Sequence, residues 1–214
     1  MRRLLIPVIV MAALLSVVTL AARSLGKALD PEPLYLDTGA CSQPCWHGVR
    51  VGTTTADEAQ RLLQADRHVY DLAHNDPNPI FHCIYEWKMQ TIPYYTGCMI
   101  IAPDQPVKAI ELRPSDRELQ LAAMIAQFGQ PIAAQLCRRL DFGPHYRLAV
   151  FAVVYFPDNV TVIAYDGRPD AWWLSPQMFV KLIRYDQPAA EPPIPFNAPR
   201  WKGFASSAVY GQVC

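Results

Sequence analysis

The 214-residue chain carries 19 acidic and 19 basic side chains, a formal net charge of zero, with no long run of either sign. A phosphate backbone would find no basic stripe on it, so nucleic acid is not expected as a partner. Hydrophobic residues make up 51%, too many for a disordered tail, and 20 prolines punctuate the chain into short elements.

Arg2 and Arg3 lead into an uncharged run from Leu4 to Ala22. Its length suits a helix crossing a hydrocarbon core and exceeds the roughly 7–15 residues of a signal-peptide apolar region. Pro7 is tolerable in a membrane helix. The expectation is a signal-anchor: a transmembrane helix within residues 1–22, a single-pass membrane location with the membrane as partner, and an extracytoplasmic C-terminal domain. The alternative is a cleaved signal peptide and a secreted product, because Ala21 and Ala22 end the run in small residues. All six cysteines (Cys41, Cys45, Cys83, Cys98, Cys137 and Cys214) follow the run. An even count there reads as a disulfide framework, with buried free thiols as the competing reading.

Residues 23–40, with Pro31 and Pro33, read as a linker. A first unit is expected over residues 41–113. Gly52 can turn the chain, and Thr54 or Thr55 can cap a short helix with Asp57 and Glu58 in its first turn. Ala59, Leu62 and Leu63 then share a face, and the helix ends around Gln64 to Asp66. Strand-like pieces at 81–89, 96–102 and 107–113 suggest a three-stranded antiparallel meander. A turn centred near Gln90 and Thr91 would set Cys83 opposite Cys98.

The pattern restarts over residues 114–185. Ser115 and Glu118 have capping-box spacing, and Leu121, Met124, Ile125 and Phe128 line one helical face. Gly129 and Pro131 supply the stop. Strands are expected at 132–138, 146–156 and 160–165, the last two joined by a Pro157-Asp158-Asn159 turn. Ser175-Pro176 opens a possible third helix to about Arg184, and residues 186–214 form a proline-rich extension. The predicted class is α+β: an N-terminal transmembrane helix, then two tandem repeats of a short helix followed by an antiparallel three-stranded sheet.

The segment G-V-R-V-G-T-T-T-A-D-E-A, Gly48 to Ala59, resembles the I-x-x-G-M-T helix opening of the BamE/SmpA-like lipoprotein fold. Phe128-Gly129-Gln130-Pro131 resembles the L-G-x-P that ends that family's first helix. Cys41 to Thr54, C-S-Q-P-C-W-H-G-V-R-V-G-T-T, looks like the start of uncharacterised bacterial membrane-anchored proteins with tandem helix-and-sheet repeats. The resemblance implies a binding or assembly role.

Cys41, Cys45 and His47 are the residues that could carry chemistry, as a redox pair or part of a metal site. The C-x-x-x-C spacing is one residue longer than the redox motif, and His68, His74, His82 and His145 show no matching ligand spacing. A structural disulfide is the plainer reading, so no metal, cofactor or catalytic residue is assigned. Trp46 and Trp87 are expected in the core, whereas one of Trp172 and Trp173 is expected at the surface, where a partner could bind. No phosphate loop, nucleophile elbow, dinucleotide fingerprint or H-E-x-x-H is present. The expected function is a membrane-anchored extracytoplasmic binding or scaffold module, not an enzyme, with an unknown protein partner. The alternative is a thiol-disulfide or metal-handling protein using Cys41, Cys45 and His47.

Overall fold

The computed structural model describes residues 11, 16, 41, 44–75, 83–89, 95–101, 105–114, 119–140, 148–166, 173–188, 194, 195 and 197–210. The chain falls into two units, Met1–Leu34 and Tyr35–Cys214. Everything below concerns the second unit unless stated.

A short hairpin opens it, β1 (Cys45–Trp46) against β2 (Val49–Arg50), with Trp46 opposite Val49. The two turn residues, His47 and Gly48, both have positive φ, 46° and 85°, the backbone of a tight turn whose twist suits a hairpin. Helix α1 (Ala56–Ala65) follows. Its N-cap is Thr55, whose side chain accepts the Glu58 N–H, and it buries Ala59 and Leu63. Thr54 serves the hairpin instead, accepting the Arg50 N–H at 2.8 Å. Asp66 leaves the helix in extended backbone, its own N–H still bonded to the Leu63 carbonyl.

Eight strands among the described residues then form one antiparallel sheet. They are β3 (Val69–His74), β4 (Tyr85–Met89), β5 (Tyr95–Ile101), β6 (Val107–Leu112), β7 (Ala133–Leu140), β8 (Leu148–Tyr155), β9 (Val160–Asp166) and β10 (Phe179–Asp186). Their order is β3-β4-β5-β6-β10-β9-β8-β7. Helix α2 (Leu121–Phe128) lies in sequence between β6 and β7, and α3 (Ser207–Tyr210) follows β10.

Register lines up a buried row across the sheet: Trp87, Gly97, Leu112, Ile183, Val162, Val154 and Ala134 are successive cross-strand neighbours. One residue along, on the opposite face, Glu111 faces Arg184 and Arg184 faces Thr161, all half-exposed. There the Arg184 guanidinium bonds Glu111 at 2.9 Å and Asp186 at 2.8 Å. One face is core and the other meets water, as an antiparallel sheet permits.

Trp87 shows how tightly the core face is built. It is fully buried, stacks on Trp46 with centroids 5.4 Å apart, and lies flat across Gly97, its cross-strand partner. Any side chain at 97 would occupy the space of the indole. Cys83 and Cys98 are disulfide-bonded with Cα atoms 5.6 Å apart.

Several expectations are corrected. Two repeats with separate three-stranded sheets are replaced by a single eight-stranded sheet, because the edges of β6 and β10 pair with each other, Ile183 with Leu112 and Tyr185 with Ile110. The transmembrane helix is corrected too. Leu4 to Ala22 lies outside the described residues except for Met11 and Ser16, which are helical. Among the described residues no helix is long and apolar enough to cross a membrane. The longest, α1, has 10 residues and spans about 15 Å, half of a bilayer core. The single-pass location and the membrane as partner have no support in the structure.

Three local readings change as well. The third helix expected from Ser175 is strand β10, and β3 is a strand the sequence reading did not foresee. Helix α2 starts at Leu121 with Gln120 as an N-cap lacking a side-chain bond, while Ser115 and Glu118 lie outside the described residues. Its first N–H groups are satisfied from elsewhere in the chain: Leu121 and Ala122 donate to the carbonyls of Met178 and Pro176, both at 2.9 Å. The C-terminal stop is as read, Gly129 at φ +79°. The Cys83–Cys98 register also differs, since Cys98 faces Glu86 and the bridge reaches a residue ahead of β4.

Candidate functional site

The segment singled out in sequence, Cys41 to His47, splits into two fates. Cys41 and Cys45 are disulfide-bonded, Cα atoms 5.9 Å apart, so neither offers a thiolate. Cys137 is disulfide-bonded too, no described cysteine is free, and Cys214 lies outside the described residues.

His47 turns away from the cysteines. The positive-φ turn between β1 and β2 aims its imidazole at the end of α1, where Nδ1 hydrogen-bonds Asp66 Oδ2. The other oxygen, Oδ1, accepts the His68 backbone N–H at 2.8 Å, the local turn an aspartate makes two residues ahead of itself. His68 Nδ1 lies 3.3 Å from the same oxygen. One carboxylate thus hydrogen-bonds the His47 ring and the His68 backbone N–H, with the His68 ring in ion-pair range. Burial works to raise the Asp66 pKa, but the His68 N–H and the neighbouring His47 outweigh it, and the carboxyl is held below its ordinary value.

The surroundings are dry on one side. The His47 side chain is 8% exposed, its ring centroid lies 4.3 Å from that of buried Trp46, and its Nε2 has no hydrogen-bond partner among the described residues. His68 is on the solvent side, 27% exposed, with Arg67 Nε donating to its Nε2 at 3.2 Å. Donor atoms of His47, Asp66 and His68 all lie within 4.8 Å of one another. Sequence reading named His47 but not its partners. The available signal was D-R-H at a helix end, with a carboxylate and an imidazole two residues apart.

A second feature is a surface corner. Trp173, 61% exposed, pairs with Ser206 in an isolated antiparallel bridge, and Leu174 N–H bonds the Ala205 carbonyl at 2.9 Å. Phe204 and Val209, near its bridge partner Ser206 in sequence, are exposed as well, and Phe204 packs edge-on against Trp201 at 5.6 Å. Arg200, Lys202 and Phe204 are exposed, alternating with half-buried Trp201, Gly203 and Ala205. The backbone here is fixed. Residues 199–201 hydrogen-bond along the start of β7, and buried Tyr210 Oη accepts the Lys202 N–H at 2.9 Å and donates to the Gly203 carbonyl at 2.6 Å. Trp173 is thus at the surface, Trp172 lies outside the described residues, and Trp46 and Trp87 are in the core.

Comparison with known proteins brings no match: no family model, no curated protein and no solved structure resembles the chain.

Proposed function

We propose that this protein is a secreted or otherwise extracytoplasmic binding module that docks a protein segment at the Trp173–Phe204–Val209 corner. The observation that carries the reading is a rigid backbone presenting exposed aromatic and cationic side chains together. Exposed aromatics held in place lose little entropy on binding and are the commonest anchors of interfaces. Arg200 and Lys202 on the same strip select a partner segment that is apolar and acidic. The bonded cysteines fit an oxidising compartment and leave the thiol-disulfide alternative without a free described thiol. The likeness of Gly48 to Ala59 to the BamE/SmpA-like opening points the same way, toward assembly by binding.

The test is photo-crosslinking from a benzophenone amino acid at Val209 in the native extracytoplasmic fraction. A discrete adduct is expected, and it should vanish in Trp173→Ser and in Lys202→Glu variants whose melting temperatures match the wild type. An adduct formed equally by those variants, or none at all, overturns the proposal.

A further inference from the structure

We propose that His47, Asp66 and His68 form a site for a divalent transition-metal ion of the zinc or copper(II) type. Three segments converge to make it: the β1–β2 turn, the C-terminal end of α1 and the residue ahead of β3. Around a tetrahedral ion with bonds near 2.0–2.2 Å, donors sit about 3.3 Å apart. Taking one donor atom from each residue, the set here spans at most 4.8 Å, a modest adjustment away from that spacing.

The donor chemistry decides the class. Two imidazoles and one carboxylate suit zinc or copper(II), whereas calcium and magnesium take sets of oxygens. Asp66 is ionised at neutral pH, as a ligand must be, and its backbone hydrogen bond to His68 holds it in place. Three protein ligands leave a coordination position for water or a small anion, and His68 and Arg67 face solvent there.

Two features limit the affinity. In the metal-free protein each imidazole Nδ1 serves the Asp66 carboxylate; on binding it must give a lone pair instead, and the ring proton moves to Nε2. For His68 this displaces the exposed Arg67 side chain from Nε2. For His47 the Nε2 proton would be buried with no partner among the described residues, so none of them gives that ring the outer support that tightens metal sites. The site should therefore bind in the micromolar range and weaken as acid competes for the imidazoles.

The test uses the full-length, untagged, oxidised chain after chelator treatment, titrated with Zn²⁺ and separately with Cu²⁺ against a chromophoric competitor. One ion per chain is expected, with affinity falling on the order of 100-fold in His68→Ala and in Asp66→Asn. His74→Ala should bind as the wild type does. Cu²⁺ should quench tryptophan fluorescence stoichiometrically, because the Trp46 ring lies 4.3 Å from the His47 ring. His68 is chosen because, unlike His47, it is partly exposed and its loss should leave the fold intact. Failure of both metals to bind stoichiometrically overturns the proposal, as does binding that survives both His68→Ala and Asp66→Asn unchanged. Neither result bears on the Trp173 corner, which shares no residue with the site.

Discussion

Gly97→Ala is the sharpest perturbation of the core. The added Cβ would fall 1.8 Å from Trp87 Cε2 and 2.2 Å from both Cζ2 and Nε1. Carbon atoms rest about 3.5–4.0 Å apart, so the indole must retreat by roughly 2 Å. It has little room to do so, being fully buried with Trp46 stacked on it. Overpacking a core costs about 1–3 kcal/mol, and a rigid ring clamped on its far side belongs near the top of that range. Alanine restricts the unfolded chain more than glycine does, which returns roughly 0.5–1 kcal/mol. The net loss is about 2 kcal/mol, or roughly 4–8 °C in melting temperature for a domain of this size. Thermal unfolding followed by circular dichroism, with disulfides intact, measures it. Trp87→Leu should rescue part of the loss, since a smaller side chain admits the methyl, giving a coupling of at least about 1 kcal/mol in a double-mutant cycle. A Gly97→Ala midpoint within 1 °C of wild type, at a precision of about 1 °C, or strictly additive effects in the cycle, would refute this account of the Trp87–Gly97 pair.

Gly129 tests the backbone alone. It sits at φ +79°, ψ −162°, a region open essentially only to glycine, and a Cβ there meets nothing within 4 Å. Gly129→Val should therefore cost about 1–3 kcal/mol purely as strain, and an unchanged urea midpoint would show that the helix end is misplaced. For Asp66 the sign follows from a folded pKa lying below the unfolded value of about 3.9. Its contribution is complete above about pH 4 and is lost as pH falls through the lower, folded value. Asp66→Asn should remove that part of the acid limb in stability measured from pH 6 down to about 2. Parallel acid limbs for the two proteins would rule it out.

How much of this was legible follows from which forces are local. The opening of α1 could be read because its cap and its acidic first turn are local: Thr55 meets Glu58 three residues on. Gly129 could be read because only glycine suits its backbone. Strand β10 could not. A register shift between Val180 and Leu182 breaks its alternation, so the buried Val180 and Ile183 fall three residues apart and mimic a helical face. The start of α2 was equally hidden, since carbonyls of Pro176 and Met178, far along the chain, replace the expected side-chain cap.

Sequence alone determined the chain's even cysteine count, the core placement of Trp46 and Trp87, the exposure of one tryptophan of the Trp172–Trp173 pair and the prominence of His47. Tertiary structure decided the rest. Strand edges carry the same backbone donors and acceptors whatever their sequence, so nothing local told β6 to take β10 as its neighbour and make one sheet of eight strands. The same holds at the site. Asp66 and His68 come from a helix end 19 residues beyond His47, and only the docking of the β1–β2 turn against that end brings a buried imidazole onto the carboxylate.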